Sequence, residues 1–367
     1  MKSVCIVFFA IAASIAFANE TLTFKKANAW EQMAVDGQSI TYKRDVLRLD
    51  GTAHAPAEFL SKVDYENFDL TFEFKVYKWC ASGLVIHAPR NDAYRAGIEI
   101  ELSGHPDHKG DIFSTGALFR VKAPDAVVPN TEKQWRTCRV RMAWPRLRVQ
   151  IDDLVVQDVN LEEVSGLSGV LRRGAVGFLH NSGELNVRNF SLTPLPDSEG
   201  HVTMFNGRDL EGWSKLEGPA KFEVTDGFIR ASGGNGYLQF DELLQDFDLQ
   251  MYVRTSPGAN GGVFFRWQRE DGGNRGTEIQ VWDVTGGVMP TASVYGIERA
   301  DDALITPGEW QLLQIKVLES HCTTYLNGGK AAVTDALPHV RKGYIVLQMH
   351  SQGSIDFKDI VLIPRDE

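Results

Sequence analysis

The chain has 367 residues, 43% of them hydrophobic and 23% charged, with a formal net charge of −10. That length sets an expectation of about two domains, and eight Trp and twenty Phe are ample material for their cores. An acidic chain without a basic stripe is a poor candidate for nucleic acid or an anionic membrane, so neither is expected as a partner.

Residues 1–18 read as a signal peptide. Lys2 gives a positive start, residues 4–17 form an uncharged, mostly apolar run, and Ala16-Phe17-Ala18 places small residues where a signal peptidase reads. The run of 14 residues is shorter than the stretch of about 18 that a membrane helix needs, and no later segment approaches it, so no membrane span is expected. Cleavage after Ala18 removes Lys2, taking the basic count from 38 to 37 against 48 acids and the charge to −11. The expected destination is secreted or periplasmic. Three cysteines then remain, Cys80, Cys138 and Cys322, an odd and widely spaced set that makes no disulfide framework. Cys80 and Cys138 could pair in an oxidising compartment. Cys138 and Cys322 sit in strand-like runs, where a buried thiol acts as a small hydrophobe.

The rest of the chain is a repeat. Asn67-Phe68-Asp69-Leu70 returns 179 residues later as Asp246-Phe247-Asp248-Leu249, and the same offset pairs Gly83 with Gly262, His87 with Arg266, Glu99 with Glu278 and Glu101 with Gln280. Small indels then shift it: Trp135 matches Trp310 at 175, Gly174 matches Gly343 at 169, and His180 and Gly183 match His350 and Gly353 at 170. Many matches in one order with a drifting offset mean duplication. The units run from 19 to 196 and from 201 to 367, joined at the proline-bearing, polar segment 192–200. So short a joint predicts that the two domains touch.

Within each unit the pattern is β. Phe72, Phe74 and Val76 alternate with Thr71, Glu73 and Lys75, and Leu249, Met251 and Val253 alternate in the same way. Short runs are separated by Gly, Pro, Asn and Asp clusters, and Tyr325-Leu326-Asn327-Gly328-Gly329 predicts a hairpin with a type I′ turn. No long stretch has the helical period, so the class is all-β.

Alternation also nominates a site. Along Thr277-Glu278-Ile279-Gln280-Val281-Trp282, Ile279 and Val281 share one face and Glu278, Gln280 and Trp282 the other. In the first unit Ile98, Ile100 and Leu102 are apolar partners, while Glu99, Glu101 and Ser103 point opposite. Phe264 with Arg266, and Val85 with His87, are expected to share faces likewise. Such a polar row is commonly no more than the solvated face of a sheet. Here it recurs in both units and lies beside Trp267 and Trp282, rings suited to stacking on sugars. His350 and His180 each close an apolar run, and Asp283 follows the Glu278 strand, where an ordinary turn aspartate would also serve. Trp135 and Trp310 open alternating strands and are assigned to packing. Glu99 and Glu101, at i and i+2 with Cα atoms roughly 6.5–7 Å apart, could imitate the paired carboxylates of a conventional glycosidase; Gln280 beside Glu278 weakens that mechanism in the second unit.

The second unit carries Phe205-Asn206-Gly207-Arg208-Asp209-Leu210-Glu211-Gly212-Trp213, then Gly258-Ala259-Asn260-Gly261-Gly262-Val263-Phe264-Phe265-Arg266. Glu278-Ile279-Gln280-Val281-Trp282-Asp283, Tyr295, Gly308-Glu309-Trp310, Asn327-Gly328 and Leu347-Gln348-Met349-His350 follow in order. This order resembles the 3-keto-disaccharide hydrolase family over essentially all of 201–367, and more weakly over about 21–195. The first unit departs from the pattern at His87 for arginine, Glu101 for glutamine, Phe119 for Tyr295 and Gly104 for Asp283, with His105 and Asp107 close by. Gln311 and Asp359 stand where asparagine is usual, at positions that look structural.

The resemblance implies two tandem concanavalin-like jelly-roll β-sandwich domains. It also implies hydrolysis of a glycoside whose ring is oxidised at C3, with a carbohydrate as ligand. A C3 ketone acidifies the C2 proton, so a base can remove it, the C1 substituent can leave, and water can add back. Glu278 or His350 would be base and the other acid, Arg266 or a bound cation would stabilise the oxyanion, and Asp283 would orient a partner or bind that cation. Gln280, Trp282 and Tyr295 would hold the sugar in the second unit; His87, Glu99, Glu101 and His180 would do so in the first. A divalent cation could be held by oxygen and imidazole ligands, although no motif demands one. The alternative is a carbohydrate-binding protein without catalysis, or one catalytic and one binding domain. Mass analysis of exported protein is expected to give a chain beginning at Asn19; a chain retaining Lys2 would contradict the leader.

Overall fold

A computed structural model of the protein describes residues 20–89, 93–129, 132–167, 169–198, 200, 202–270, 273–338, 341–350 and 352–365. The expected leader, residues 1–18, lies outside them. The chain divides into two compact units: the described residues of Met1–His87, Glu99–Val164 and Arg173–Pro196, and those of Ala88–Ile98, Ser165–Arg172 and Asp197–Glu367. Nearly all regular structure is strand, and the all-β expectation holds. The one α-helical element among the described residues is the single turn Ala93–Ala96. No helix of the described residues is long and apolar enough to cross a membrane.

The first unit contains β1 (Trp30–Met33), β2 (Gln38–Lys43), β3 (Val46–Ser61), β4 (Phe68–Val76), β5 (Ala81–Ala88), β6 (Ile98–Ser103), β7 (Arg136–Ala143), β8 (Arg146–Ile151), β9 (Leu154–Asn160) and β10 (Ala175–Pro194). They hydrogen-bond in the order β1-β3-β10-β4-β7-β8-β9, with β2 on β3 and β5 joining β10 to β6. The long strands β3 and β10 belong to both layers. The early part of β10 pairs Gly177–His180 with Leu60–Ala57; past a register shift between His180 and Ser182, its later part pairs with the start of β3 and with β4. Leu192, Thr193 and Pro194 pair with Leu70, Asp69 and Phe68, so the proline-bearing joint begins as strand.

The second unit contains β11 (Val202–Thr203), β12 (Trp213–Lys215), β13 (Lys221–Thr225), β14 (Phe228–Ser232), β15 (Gly236–Phe240), β16 (Phe247–Thr255), β17 (Gly261–Glu270), β18 (Gly273–Val281), β19 (Gln311–Leu318), β20 (His321–Leu326), β21 (Gly329–Thr334), β22 (Tyr344–Met349) and β23 (Ser354–Pro364). Here the two layers are separate sheets. One has five strands, β12-β15-β22-β17-β18; the other has eight, β13-β14-β23-β16-β19-β20-β21 with β11 on β23.

The apolar face of each sheet explains the packing. On β4, Phe68, Leu70, Phe72, Phe74 and Val76 are buried and the residues between them are not. On β16, Phe247, Leu249, Met251 and Val253 meet Phe265, Ile279, Val281 and Leu347 of the five-stranded sheet in one core. Burying each such side chain stabilises the fold by roughly 1.5–3 kcal/mol. The expected hairpin forms, with Leu326 opposite Gly329 and both turn residues, Asn327 at φ 49° and Gly328 at φ 79°, in the left-handed region.

Cys80, Cys138 and Cys322 are free and buried. Burial pushes the Cys80 and Cys322 thiols up to about 12 and Cys138 higher still. A thiol reagent is therefore expected to leave all three untouched in native protein and to label three after denaturation without reductant; two missing labels would reveal a Cys80–Cys138 bridge.

Candidate active site

The five-stranded sheet of the second unit holds a cleft because one side chain is missing from its surface. Gly262 on β17 pairs with Gln280 on one side and Gln348 on the other, and Gln348 pairs with Tyr237 on β15. These four positions form a row across the sheet on one face, and the row is hollow at Gly262. Into that space leans Glu278: a Cβ at Gly262 would collide with its carboxylate.

The strand β18 is an edge of this sheet, and the chain beyond it returns along it. Ala292 N–H donates to the Gln280 carbonyl (2.9 Å), Gln280 N–H to Ser293 O (3.0 Å), and Tyr295 N–H to the Glu278 carbonyl (2.9 Å). The returning segment raises a wall beside the hollow. The cleft has a volume of about 280 Å³ and is lined by Asn260, Glu278, Gln280, Trp282, Val288, Met289, Tyr295, Gln348 and His350.

Five residues singled out from the sequence of the second unit thus meet in one place: Glu278, Gln280, Trp282, Tyr295 and His350. Glu278 is half-buried, and burial pushes its carboxyl up to about 7. Turning the Gln280 amide so that its oxygen and nitrogen are both satisfied lets its NH₂ donate to Glu278 Oε1 (3.2 Å) and to Gly261 O (2.9 Å). His350 is exposed, its backbone N–H fixed to Asn260 O (2.9 Å). Val288 is 81% and Tyr295 53% exposed at the lip. Asn260, Val288, Met289 and Gln348 were not nominated from the sequence. Gln348 could have been, because it lies two residues from His350 on the same strand line and so shares its face.

Three other nominations in the second unit are corrected. Arg266 does not share a face with Phe264. Its φ of 53° breaks the alternation, and the register of β17 slips between Phe265 and Gln268 on one side and between Phe264 and Trp267 on the other. The guanidinium is buried away from the cleft lining, paired with Asp246 (2.8 Å) and donating to the carbonyls of Gln245 (3.0 Å) and Glu319 (2.6 Å). Trp267 is buried as well, packed on Tyr237 and Phe264 rather than offered to a ligand. Asp283 also lies outside the lining. It accepts from Thr255 Oγ1 (2.6 Å), Thr291 Oγ1 (2.6 Å) and Gln311 Nε2 (2.9 Å), which ties the loop after β18 to β16 and β19. Gln311 is structural, as expected. Asp359 at φ 49° matches Asn189 at φ 54°, both residue types that tolerate the left-handed region.

The first unit repeats part of this plan. Phe119 N–H donates to the Glu99 carbonyl (2.9 Å), Gly116 N–H to the Glu101 carbonyl (2.8 Å), and a Cβ at Gly83 would collide with the Glu99 side chain. His87 copies Arg266 in a structural role: φ is 50°, the ring is buried, and Nε2 lies 2.8 Å from Glu66 O, the counterpart of Gln245. Hence neither His87 nor Arg266 forms part of a polar row on the sheet.

His180 is not the counterpart of His350. Ala57, 179 residues before Gly236, pairs with His180, whereas Gly236 pairs with Met349. The match is off by one residue, and a one-residue slip in a strand turns a side chain to the opposite face. His180 is fully buried with Nδ1 2.8 Å from Ser82 Oγ, and desolvation lowers its pKa. Among the described residues, no three His, Cys, Asp or Glu side chains converge as metal ligands.

The sequence profile of the 3-keto-alpha-glucoside-1,2-lyase-like domain matches residues 20–193 and, a second time, residues 200–363. The chain belongs to this family. A 3-keto-disaccharide hydrolase of Bacteroides thetaiotaomicron is 31% identical over 97 residues, covering 23% of this chain and 33% of that protein. The chain thus spans about a third of the length of that curated relative. Among solved structures, a candidate glycosyl hydrolase from Parabacteroides distasonis is similar at 14% identity and a TM-score of 0.40, covering 46% of this chain and 89% of its own. The carbohydrate-binding module CBM66 from Bacillus subtilis is similar at 13% identity and a TM-score of 0.33, covering 45% and 95%.

In this member of the 3-keto-alpha-glucoside-1,2-lyase-like family, the buried Arg266 and the cleft residue His350 should separate in a stability measurement. Arg266→Ala leaves Asp246 uncompensated and is expected to cost about 3–5 kcal/mol in urea unfolding, whereas His350→Ala should stay within about 0.5 kcal/mol of the parent. Equal stabilities would contradict the anchoring role.

Proposed function

We propose that the second unit cleaves 3-keto-glycosides, with Glu278 as the base that takes the proton from C2. The observation that carries this reading is the lone, desolvated carboxylate at the hollow of a cleft flanked by an imidazole and two aromatic rings. A carboxyl held near neutrality is matched to moving a carbon-bound proton at physiological pH. Gln280, donating to Glu278, holds it in place without contributing a second charge.

Glu278 accepts the C2 proton, and the C–H electrons pass into an enolate on the C3 oxygen. Collapse of the enolate restores the ketone, forms a C1–C2 double bond and expels the C1 substituent, which takes a proton from His350. Water then adds at C1 and a proton returns to C2, giving the free 3-keto sugar. With Arg266 anchored elsewhere, the developing oxyanion would draw on other hydrogen-bond donors of the lining, the Gln348 amide and the Tyr295 hydroxyl. Trp282 and Tyr295 supply faces for the ring. The family's description as a 1,2-lyase supports an elimination across C1 and C2.

A carboxylate must be ionised to act as base. The Glu278 group is held protonated up to about pH 7, so turnover of a 3-keto-glycoside should climb as pH rises through about 7. Glu278→Gln should lower kcat by roughly a hundred- to ten-thousandfold and abolish that limb. Binding of the keto-glycoside with no product from the parent protein would make the second unit a carbohydrate-binding module instead; full activity in Glu278→Gln would remove the base assignment.

A further inference from the structure

The first unit keeps the strand positions that carry Glu278 and Gln280 and changes one of the side chains. Glu99 stands where Glu278 does, over the same glycine gap at Gly83, and the returning strand makes the same backbone hydrogen bonds to it. The difference lies at the next position on that face, where Glu101 replaces Gln280. The floor therefore carries two carboxyl groups instead of a carboxyl and an amide.

Those groups are 6% and 4% exposed. Gln280, which lines the open cleft of the second unit, is likewise only 4% exposed. Glu99 Oε2 is buried without a hydrogen-bond partner among the described residues. The charged groups acting on them are Arg120, which favours ionisation of Glu99, and Asp111, which opposes that of Glu101. Desolvation, joined at Glu101 by the neighbouring Glu99, raises both groups, Glu99 to about 8. Phe119, whose backbone N–H donates to the Glu99 carbonyl, ends a ladder of rings in contact: Trp79 to His105 (4.7 Å between centroids), His105 to His108 (4.4 Å), His108 to Phe113 (5.3 Å) and Phe113 to Phe119 (5.7 Å).

We propose that the first unit holds a second ligand site, in which Glu99 and Glu101 receive the ammonium group of an amino sugar against the ring ladder from Trp79 to Phe119. One added carboxyl on a shared floor calls for one added positive charge on the ligand. A buried carboxylate without a partner is costly, and an ammonium satisfies it with charge-assisted hydrogen bonds. Aromatic faces bind both sugar rings and cations. The sugar part of this proposal rests on the reading of the second unit; the cation part rests on the first unit alone.

The test is calorimetric titration of the full chain carrying Glu278→Gln, so that the result does not depend on whether the second unit cleaves anything. Glucosamine, N-acetylglucosamine, glucose and calcium chloride are each titrated at pH 7 in two buffers of different ionisation enthalpy. Glucosamine alone is expected to saturate, with protons released to the buffer as the carboxyl pair ionises. Adding Glu101→Gln, which copies the second unit and should fold with an unchanged Tm, is expected to weaken glucosamine roughly ten- to a hundredfold. No saturation by glucosamine overturns the proposal. So does equal binding of N-acetylglucosamine, glucose or calcium, binding without proton release, or binding untouched by Glu101→Gln.

Discussion

The second unit's cleft depends on a side chain that is not there. Gly262 sits between Gln280 and Gln348 in a row that would otherwise be level, and any Cβ at that point would occupy the space of the Glu278 carboxylate. Two consequences follow from one residue. The sheet gains a hollow, and Glu278 can lie down over the neighbouring strand, out of bulk water, instead of standing into solvent. Its proton affinity then follows from desolvation alone, with no charged neighbour needed to set it. The recurrence of Gly83 beneath Glu99 shows the same geometry used twice.

A second constraint holds the sheet that carries the glycine. Halfway along β17 and at the end of β5 the chain takes a left-handed residue, Arg266 in one unit and His87 in the other. The bulge sends each side chain inward, where it reaches a carbonyl of the segment leading into the opposite layer, Gln245 or Glu66. An arginine adds an ion pair with Asp246, and the histidine stacks on Trp144 at 5.7 Å between centroids. The chemistry differs while the position and the carbonyl are shared. A residue that looks like an electrophile in the sequence is part of the frame.

Much of this was legible in the sequence. Alternation placed Glu278, Gln280 and Trp282 on one face, because a regular strand allows no other outcome, and all three line the cleft. The duplication was legible too, through the order of its matches. Arg266 was not, since one left-handed residue inverts the parity on which the argument rests and nothing in the sequence around it announces the bulge. His180 failed for a related reason. An offset of 170 fitted the letters, whereas pairing with Ala57 requires 169, and on a strand that single residue exchanges core for surface. Asn260, Val288 and Met289 come from turns and returning chain, whose approach to the cleft depends on tertiary hydrogen bonds such as Ala292 to Gln280 and not on any local period.

In the first unit β3 and β10 run unbroken through both layers, while in the second the corresponding stretches are cut into β14 and β15 and into β22 and β23. One arrangement joins its layers by strands that carry on through a register shift; the other joins them by turns containing Gly233, Gly234 and Gly353 at positive φ. Amide protons in the first unit should therefore exchange as a single cooperative block, whereas those of the five-stranded sheet in the second have a route to local opening that leaves the eight-stranded sheet intact. The layer that carries the Glu278 cleft is thus also the one expected to open on its own.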